Sequence, residues 1–310
     1  EKAAIDTGFI VFNDRTYPRF IALLKEIGVD YQPTEMSFSV RNDQDKLEYN
    51  GHSLASLFAQ RSNLITPRFW KMLKEIVKFN KDVRRQAADK SSATIGDYLG
   101  SSNYSPYFRD NYLIPMVSAI WSMVLEDCTD FPLEFFVRFF ENHGLLDLAN
   151  RPQWFTVNGG SSSYIEPLIQ QFADSIHVST PVVAVSRSED SVLVQTGSGS
   201  EAYDHVVFAC HGDEALAVLD DSGRNEKEIL SSFRFTDNRV VLHTDTSLLP
   251  SRKAAWASWN YRITDTSGQL PTLTYNMNIL QRLQTTHTYL VTLNQEIDDD
   301  YVIDEFHYAH

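Results

Sequence analysis

Cysteine is nearly missing from this 310-residue chain: only Cys128 and Cys210 occur. Cys210 closes an apolar run, so a disulfide framework is excluded and a reducing compartment is favoured. Positive charge is scarce as well, with 27 Lys and Arg against 41 Asp and Glu, a formal net charge of −14. A nucleic-acid or anionic-membrane partner would need a basic footprint, so the expected partners are small molecules or proteins. No uninterrupted apolar run approaches the ~18 residues of a membrane span, and no signal-peptide pattern is legible. These absences lead to the expectation of a cytoplasmic protein without a transmembrane segment.

Catalytic motifs are equally thin. The one Gly-x-Gly-x-x-Ala match, Gly197-Ser198-Gly199-Ser200-Glu201-Ala202, is followed by strand-like residues. A dinucleotide fingerprint needs a helix there, so these glycines are expected to form a hairpin turn. Gly159-Gly160-Ser161-Ser162-Ser163 lacks the closing glycine of a nucleophile elbow, and helix capping accounts for its serines. His243 and Asp245 share a strand face, but no third ligand stands at a characteristic spacing, and no metal site is expected. His211 follows an apolar run and reads as a polar cap or a cofactor neighbour.

Apolar and aromatic residues are plentiful: 43% of the chain is hydrophobic, with 19 Phe, 14 Tyr and 5 Trp. A chain of this length can bury sizeable cores, which predicts two domains or one with a large insertion. An extended run from Ala3 to Ile5 leads into Asp6-Thr7-Gly8-Phe9-Ile10-Val11-Phe12-Asn13, and an amphipathic helix follows from Tyr17 to its stop at Gly28. Met36–Arg41 and Lys46–Tyr49 read as a hairpin, because Asn42 to Asp45 supplies turn chemistry. From Ser53, an N-cap candidate, to Gly144 the pattern is mostly helical. Pro67 opens a helix over Arg68–Ala88 with a stripe of Phe69, Met72, Leu73, Ile76, Val77 and Phe79. A third helix is predicted over Tyr104–Val124, kinked or divided at Pro115, and a fourth over the aromatic run Phe131–Phe140. The aromatics of this block pack a core or line a hydrophobic pocket.

Beyond Trp154 the pattern changes. A helix over Ser163–Ala173 is followed by strands at Ile176–Val178, Val182–Arg187 and Val192–Thr196. Next come a strand over His205–Cys210, buried on both faces, and a helix over Asp213–Leu219. Strands dominate thereafter at Val240–Thr244, Ala254–Tyr261, Thr272–Asn276 and His287–Leu293, and an acidic, aromatic tail runs over Tyr301–His310.

The string Ala4-Ile5-Asp6-Thr7-Gly8-Phe9-Ile10-Val11-Phe12-Asn13, followed by Tyr17-Pro18 and a helix, resembles flavin-containing amine oxidase-like proteins. It is most similar to a bacterial group of predicted FAD-binding amine oxidases, at the stretch just after their FAD-binding βαβ unit. The order helix, strand, meander, buried strand, helix likewise resembles the second half of flavoprotein nucleotide-binding domains. The resemblance implies an α/β (mixed α+β) fold: an incomplete FAD/NAD(P)-binding Rossmann-like domain plus a substrate domain of mixed sheet and helices. Its segments would be 1–52, connecting cofactor and substrate domains; 53–150, the helical part of the substrate domain; 151–232, the second half of the FAD domain; and 233–310, the sheet part of the substrate domain. The chain is then expected to be the middle portion of an FAD-dependent oxidoreductase. It would lack the N-terminal βαβ unit and the C-terminal FAD-contacting segment, be inactive alone, and bind FAD weakly or not at all.

The same resemblance implies site residues. Thr7, Gly8 and Phe9 would lie near the flavin ring, Gly8 allowing close backbone approach. Val182, after Thr180-Pro181, would contact the adenine edge of FAD, and Ala209, at the carboxyl end of the buried run, falls where open α/β sheets bind ligands, its small side chain permitting close approach of the cofactor. Phe12, Asn13, Trp256 and Trp259 would line the substrate pocket; alternation puts Trp256 and Ser258 on one strand face and Trp259 and Tyr261 on the other. The family's lysine near the flavin is replaced, since Phe235–Val240 offers Asn238 and Arg239. No catalytic residue is therefore assigned. The implied reaction is hydride transfer from a C–N or C–C donor to FAD. Desaturation or isomerisation of a lipophilic substrate, or ligand or protein binding on a non-catalytic, degenerate flavoprotein scaffold, are the alternatives.

Overall fold

The computed structural model describes residues 3–89, 93–121, 123–147, 151–264 and 272–309. Position 150, an expected segment boundary, and position 122, inside the expected third helix, lie outside the described residues. The chain begins β1 (Phe12–Asn13), α1 (Pro18–Glu26), β2 (Tyr31–Thr34), β3 (Phe38–Asn42), β4 (Leu47–Asn50) and α2 (Leu54–Leu57). Then follow α3 (Pro67–Asp89), α4 (Ile95–Ser101), α5 (Pro106–Phe108), α6 (Ile114–Trp121), α7 (Leu133–Asn142), β5 (Trp154–Val157) and α8 (Ile165–Ile169). A middle stretch holds β6 (Val182–Arg187), β7 (Val192–Thr196), β8 (Gly199–Tyr203), α9 (Gly212–Val218) and α10 (Arg224–Leu230). The last elements are β9 (Asp237–His243), β10 (Trp259–Ile263), β11 (Thr272–Asn276), α11 (Met277–Leu280), β12 (Leu290–Leu293) and β13 (Val302–Ala309).

These elements form two compact units, Glu1–Leu168 with Asp237–His310, and Ile169–Thr236. The larger unit is built on a seven-stranded sheet in the order β13-β9-β12-β11-β10-β3-β4. β10 runs parallel to β3, with Trp259 opposite Phe38, and the other pairings are antiparallel. A small sheet, β1-β5-β2, pairs Phe12 with Phe155 and Tyr31 with Val157. Those pairings place β5 in the larger unit, although the sequence grouped it with residues 151–232.

The hairpin β3–β4 turns where Asn42 to Asp45 predicted it: the Asn42 side chain accepts hydrogen bonds from the backbone of Gln44 and Asp45, and Lys46 takes a positive φ of 50°. Ser53 caps α2 by accepting from the Ser56 N–H at 3.2 Å. Pro67 is the first residue of α3, where its missing N–H costs no helical bond. Phe69, Met72, Phe79 and Val83 of α3 are fully buried against Phe136 and Phe140 of α7 in the main core, whereas Val77 faces outward. Most of the aromatic block is thus core packing, as period 3.6 dictates for one face of each helix.

Pro115 divides the third helix by a specific route. Helical chain begins at Pro106, opens into a π-turn over Arg109–Leu113, and resumes as α6. A proline cannot donate to the carbonyl four residues back and its ring crowds that carbonyl, and a widened turn relieves both problems. The carbonyl concerned belongs to Asn111, and the buried Tyr49 hydroxyl donates to it at 2.8 Å. The Asn111 side chain is fixed too: its amide donates to Asp45, and it accepts from the Asn42 amide at 2.8 Å.

In the smaller unit β6, β7 and β8 form an antiparallel meander. Gly197-Ser198-Gly199 forms the turn between β7 and β8, with Gly199 at φ 148°, so the fingerprint-like string is a hairpin. Two expected strands are absent. His205 to Cys210 is irregular chain with Val207 89% exposed, and Val178, in the run Ile176–Val178, is 79% exposed outside any ladder. A strand buried on both faces needs a bonded neighbour on each edge, and β6 instead bridges in parallel to Leu219, whose neighbour Asp220 donates its N–H to the Val185 carbonyl at 3.0 Å. Conversely β13, which the sequence showed only as an acidic, aromatic tail, lies along β9 at the sheet edge. Its alternating residues stay largely exposed, which weakens the period-2 signal.

Candidate functional site

The larger unit contains a cavity of about 390 Å³. Its walls come from the segment Gly8 to Val11, from Met36 and Phe38, from Met116 and Ile120 of α6, from Phe139 and His143 around the end of α7, and from Trp154, Trp259 and Tyr275. Among the described residues no Asp, Glu, Lys or Arg lines it. That is the composition of a dry pocket in which a few polar atoms set orientation.

The elements place these groups by simple register. Trp259 opens β10, pairs with Tyr275 of β11, and meets its ring edge-on at 5.2 Å. Two residues on, Tyr261 is buried, and its hydroxyl donates to Ser118 of α6 at 3.0 Å, tying sheet to helix below the cavity wall. Burial raises the pKa of both Tyr275 and Tyr17, so each presents a neutral hydroxyl. Ser37 is consumed internally: its hydroxyl donates to Glu35, and its N–H donates to the Ser258 hydroxyl at 2.6 Å.

The Gly8 segment is pinned from below. The Asp6 carboxylate accepts from the Ser161 N–H at 2.9 Å and from the Gln281 amide at 3.0 Å, while the Asp6 N–H donates to Gln281 at 2.9 Å. Burial raises the Asp6 pKa against the lowering effect of the Ser161 hydrogen bonds. Gly160 sits at φ 87°, and a Cβ there would come within 3.3 Å of Ala4 and of the Asp6 carboxylate. Glycine at 160 thus permits the approach that holds Asp6. Gly8 is different: a Cβ built there meets nothing within 4 Å. It lines the cavity, so a side chain at 8 would occupy cavity space and not strain the backbone.

Of the residues singled out by sequence, Gly8, Phe9 and Trp259 meet in this cavity. Phe9 packs edge-on against Phe20 of α1 at 5.3 Å, and the neighbouring Thr7 hydroxyl lies 2.8 Å from that of Tyr308. Phe12 and Asn13, expected in the pocket wall, are fully buried elsewhere. Phe12 stacks among Phe20, Tyr31 and Phe155 in a separate core, and Asn13 accepts from the N–H groups of Arg15 and Thr16 in the turn before α1. Trp256 is also outside the cavity: it precedes β10, its indole donates to Pro250, and Lys253 lies over its ring. Strand alternation did not apply to it because the strand starts only at 259.

Val182 and Ala209 belong to the smaller unit, where both line a cleft of about 360 Å³ with Val194 and Phe208. His211 is the N-cap residue of α9, and its ring stacks on Phe235 at 4.2 Å. His243 is wholly buried: its Nε2 donates to Thr292 and its Nδ1 accepts from the Asp245 N–H. Both ring nitrogens serve the sheet. Arg239, in the stretch Phe235–Val240 that holds no lysine, pairs with Glu305 at 2.7 Å and Glu296 at 3.3 Å. His143, Tyr275 and Asp6 were missed as site residues. His143 carried a faint signal, as a lone histidine between an aromatic helix and the stop glycine Gly144.

The fold has counterparts among solved structures. A putrescine oxidase bound to putrescine superposes with a TM-score of 0.63 at 12% identity, over 95% of this chain and 67% of that one. Cyclohexylamine oxidase from Brevibacterium oxydans gives 0.60 at 14% identity, over 94% and 64%. A CLA-producing fatty acid isomerase from P. acnes gives 0.60 at 12% identity, over 96% and 66%. The chain thus spans about two thirds of the lengths of these structures, and at such identities the likeness is one of fold. The sequence profile of flavin-containing amine oxidoreductases matches residues 3–250, and this chain belongs to that family. Comparison with curated protein sequences gives no match. Among the described residues no helix is long and apolar enough to cross a membrane.

Proposed function

We propose that the chain supplies the substrate cavity of an FAD-dependent oxidoreductase acting on an apolar substrate. The observation that carries this reading is the uncharged, aromatic-walled cavity with the Gly8–Phe9 segment in its wall, in a member of a flavin-containing family. The open space at Gly8 suits close approach of a planar ring system, with Thr7, Phe9 and Trp259 beside it. Val182 and Ala209 are the candidates for the adenosine part. A bound flavin supplies hydride acceptance from a C–N or C–C donor and later return of the electrons to an acceptor. The chain's own residues exclude water and hold the donor carbon in place: Met116, Ile120, Phe139 and Leu145 close one side, Trp259 and Tyr275 the other.

One observation favours the desaturase or isomerase branch over oxidation of a polyamine. A dication such as putrescine would be buried without a counter-charge, because no acidic side chain lines the cavity. The dinucleotide fingerprint that holds the phosphates of FAD is a Gly-x-Gly-x-x-Gly or -Ala turn opening a helix, and the one such match here, Gly197 to Ala202, is a hairpin turn. These residues alone are therefore expected to hold FAD weakly.

The test is the visible spectrum of the full-length gene product purified without added cofactor. A flavin spectrum supports the reading, and a colourless protein overturns it. Gly8→Val sharpens the result. It should leave thermal unfolding unchanged while lowering flavin content or turnover, and unchanged flavin content and turnover would remove Gly8 from the site.

A further inference from the structure

We propose that His143 is the hydrogen-bond acceptor that orients the substrate in this cavity, and that the substrate is an uncharged, largely apolar molecule carrying an N–H or O–H donor. The argument starts from the tautomer. The His143 Nδ1 lies 2.9 Å from the Phe139 carbonyl oxygen, one turn back on the same helix. A carbonyl only accepts, so Nδ1 carries the proton, and in the neutral ring Nε2 is left with a lone pair and no proton. The ring is held flat as well as tethered: it stacks on Phe139 at 4.1 Å and 22°, and lies at 19° to Trp154, 6.2 Å away. With Nδ1 bonded to Phe139, Nε2 has no hydrogen-bond partner among the described residues.

The other polar groups of the lining do not offer the same thing. The Ser37 hydroxyl is committed to Glu35. Tyr17 and Tyr275 keep neutral hydroxyls that both donate and accept and so do not select a donor. His143 Nε2 is the obligate side-chain nitrogen acceptor among the described residues of this cavity. A ligand that lacked a donor would leave this lone pair desolvated and unpaired, and such a mismatch discriminates between ligands. Absence of any carboxylate in the wall disfavours a fixed cation. A neutral amine or an alcohol on a hydrocarbon frame meets both conditions.

The inference rests on the reading of this cavity as the substrate site, and its test does not require flavin. The probes are 2-naphthol, which donates, and 2-methoxynaphthalene, which does not, titrated calorimetrically into the wild-type chain and the H143F variant. Wild type should bind 2-naphthol about tenfold more tightly, the worth of one net hydrogen bond. H143F keeps the stacking surface and should lose that preference while holding 2-methoxynaphthalene as before. In the unmodified protein, nitrogen NMR should show a histidine protonated at Nδ1 whose Nε2 resonance moves on adding 2-naphthol and not 2-methoxynaphthalene. Equal affinities in wild type, a preference that survives in H143F, or no such Nε2 response would each overturn the assignment. A flavin-bearing full-length protein without probe discrimination sinks the His143 role alone. A colourless one that still discriminates sinks the oxidoreductase reading alone.

Discussion

At the scale of single residues, His243 shows how burial turns a titratable group into a structural one. The sequence offered it beside Asp245 as half of a metal pair. In the sheet it is neutral, donating from Nε2 to Thr292 at 2.7 Å, and Thr292 in turn lies 2.8 Å from Thr274. Burial lowers its pKa from 6.5 to about 4, with Asp245 opposing that shift. The unfolded chain therefore binds a proton that the folded chain refuses, and this contribution to stability falls as pH drops from about 6.5 towards 4. His243→Gln should lower the urea midpoint at neutral pH but flatten its decline across that window. An unchanged slope would assign the acid sensitivity of that window elsewhere. Glu48 acts at lower pH: burial raises its pKa but is outweighed by the Ser251 N–H and Arg252, so its contribution is present above the ordinary value of 4.5 and is lost as pH falls below it through the lowered one.

At the scale of elements, Pro115 was legible as an interruption and its consequence was not. The π-turn, the liberated Asn111 carbonyl and the Tyr49 hydroxyl lie on elements far apart in sequence. A single-element pattern therefore carries no trace of their partnership. If Tyr49 serves the carbonyl that Pro115 cannot, Tyr49→Phe should cost about 1–3 kcal/mol in wild type, the price of one buried unpaired acceptor. The same change should cost less in a Pro115→Ala background, where a backbone N–H is restored. Denaturant unfolding of the four proteins measures this coupling, and additive effects would separate the two residues. The helical stripes fared better: Phe69, Met72 and Phe79 are buried as spacing requires, because i, i+3 and i+10 share one helix face.

At the scale of the whole molecule, the larger unit holds the aromatic-walled cavity, and the smaller one carries a meander, two helices and an irregular apolar segment. His205 to Cys210 makes no ladder, and Phe208 is 38% exposed, whereas Phe12, Phe69 and Phe136 are fully buried. Proteases need locally extended, accessible chain. Brief chymotrypsin digestion should cut first after Phe208, and mass spectrometry should find that cut before any within β9 to β12. Early cleavage inside the seven-stranded sheet would contradict the structure of that unit.

The amino-acid sequence by itself determined the helices, turns and caps, because glycine placement, capping residues and period are local and survive without neighbours, and its resemblance to a known family pointed to the fold class and to the Gly8–Phe9 segment. Only tertiary structure decided which aromatics meet. Trp259 faces the cavity while Trp256, Phe12 and Asn13 do not, and His143 joins from a helix end that nothing in the strand pattern indicates. A cavity is the space left between elements. Its lining follows from how sheet and helices pack against one another, and that packing sums many contacts of high sequence separation that no single segment encodes.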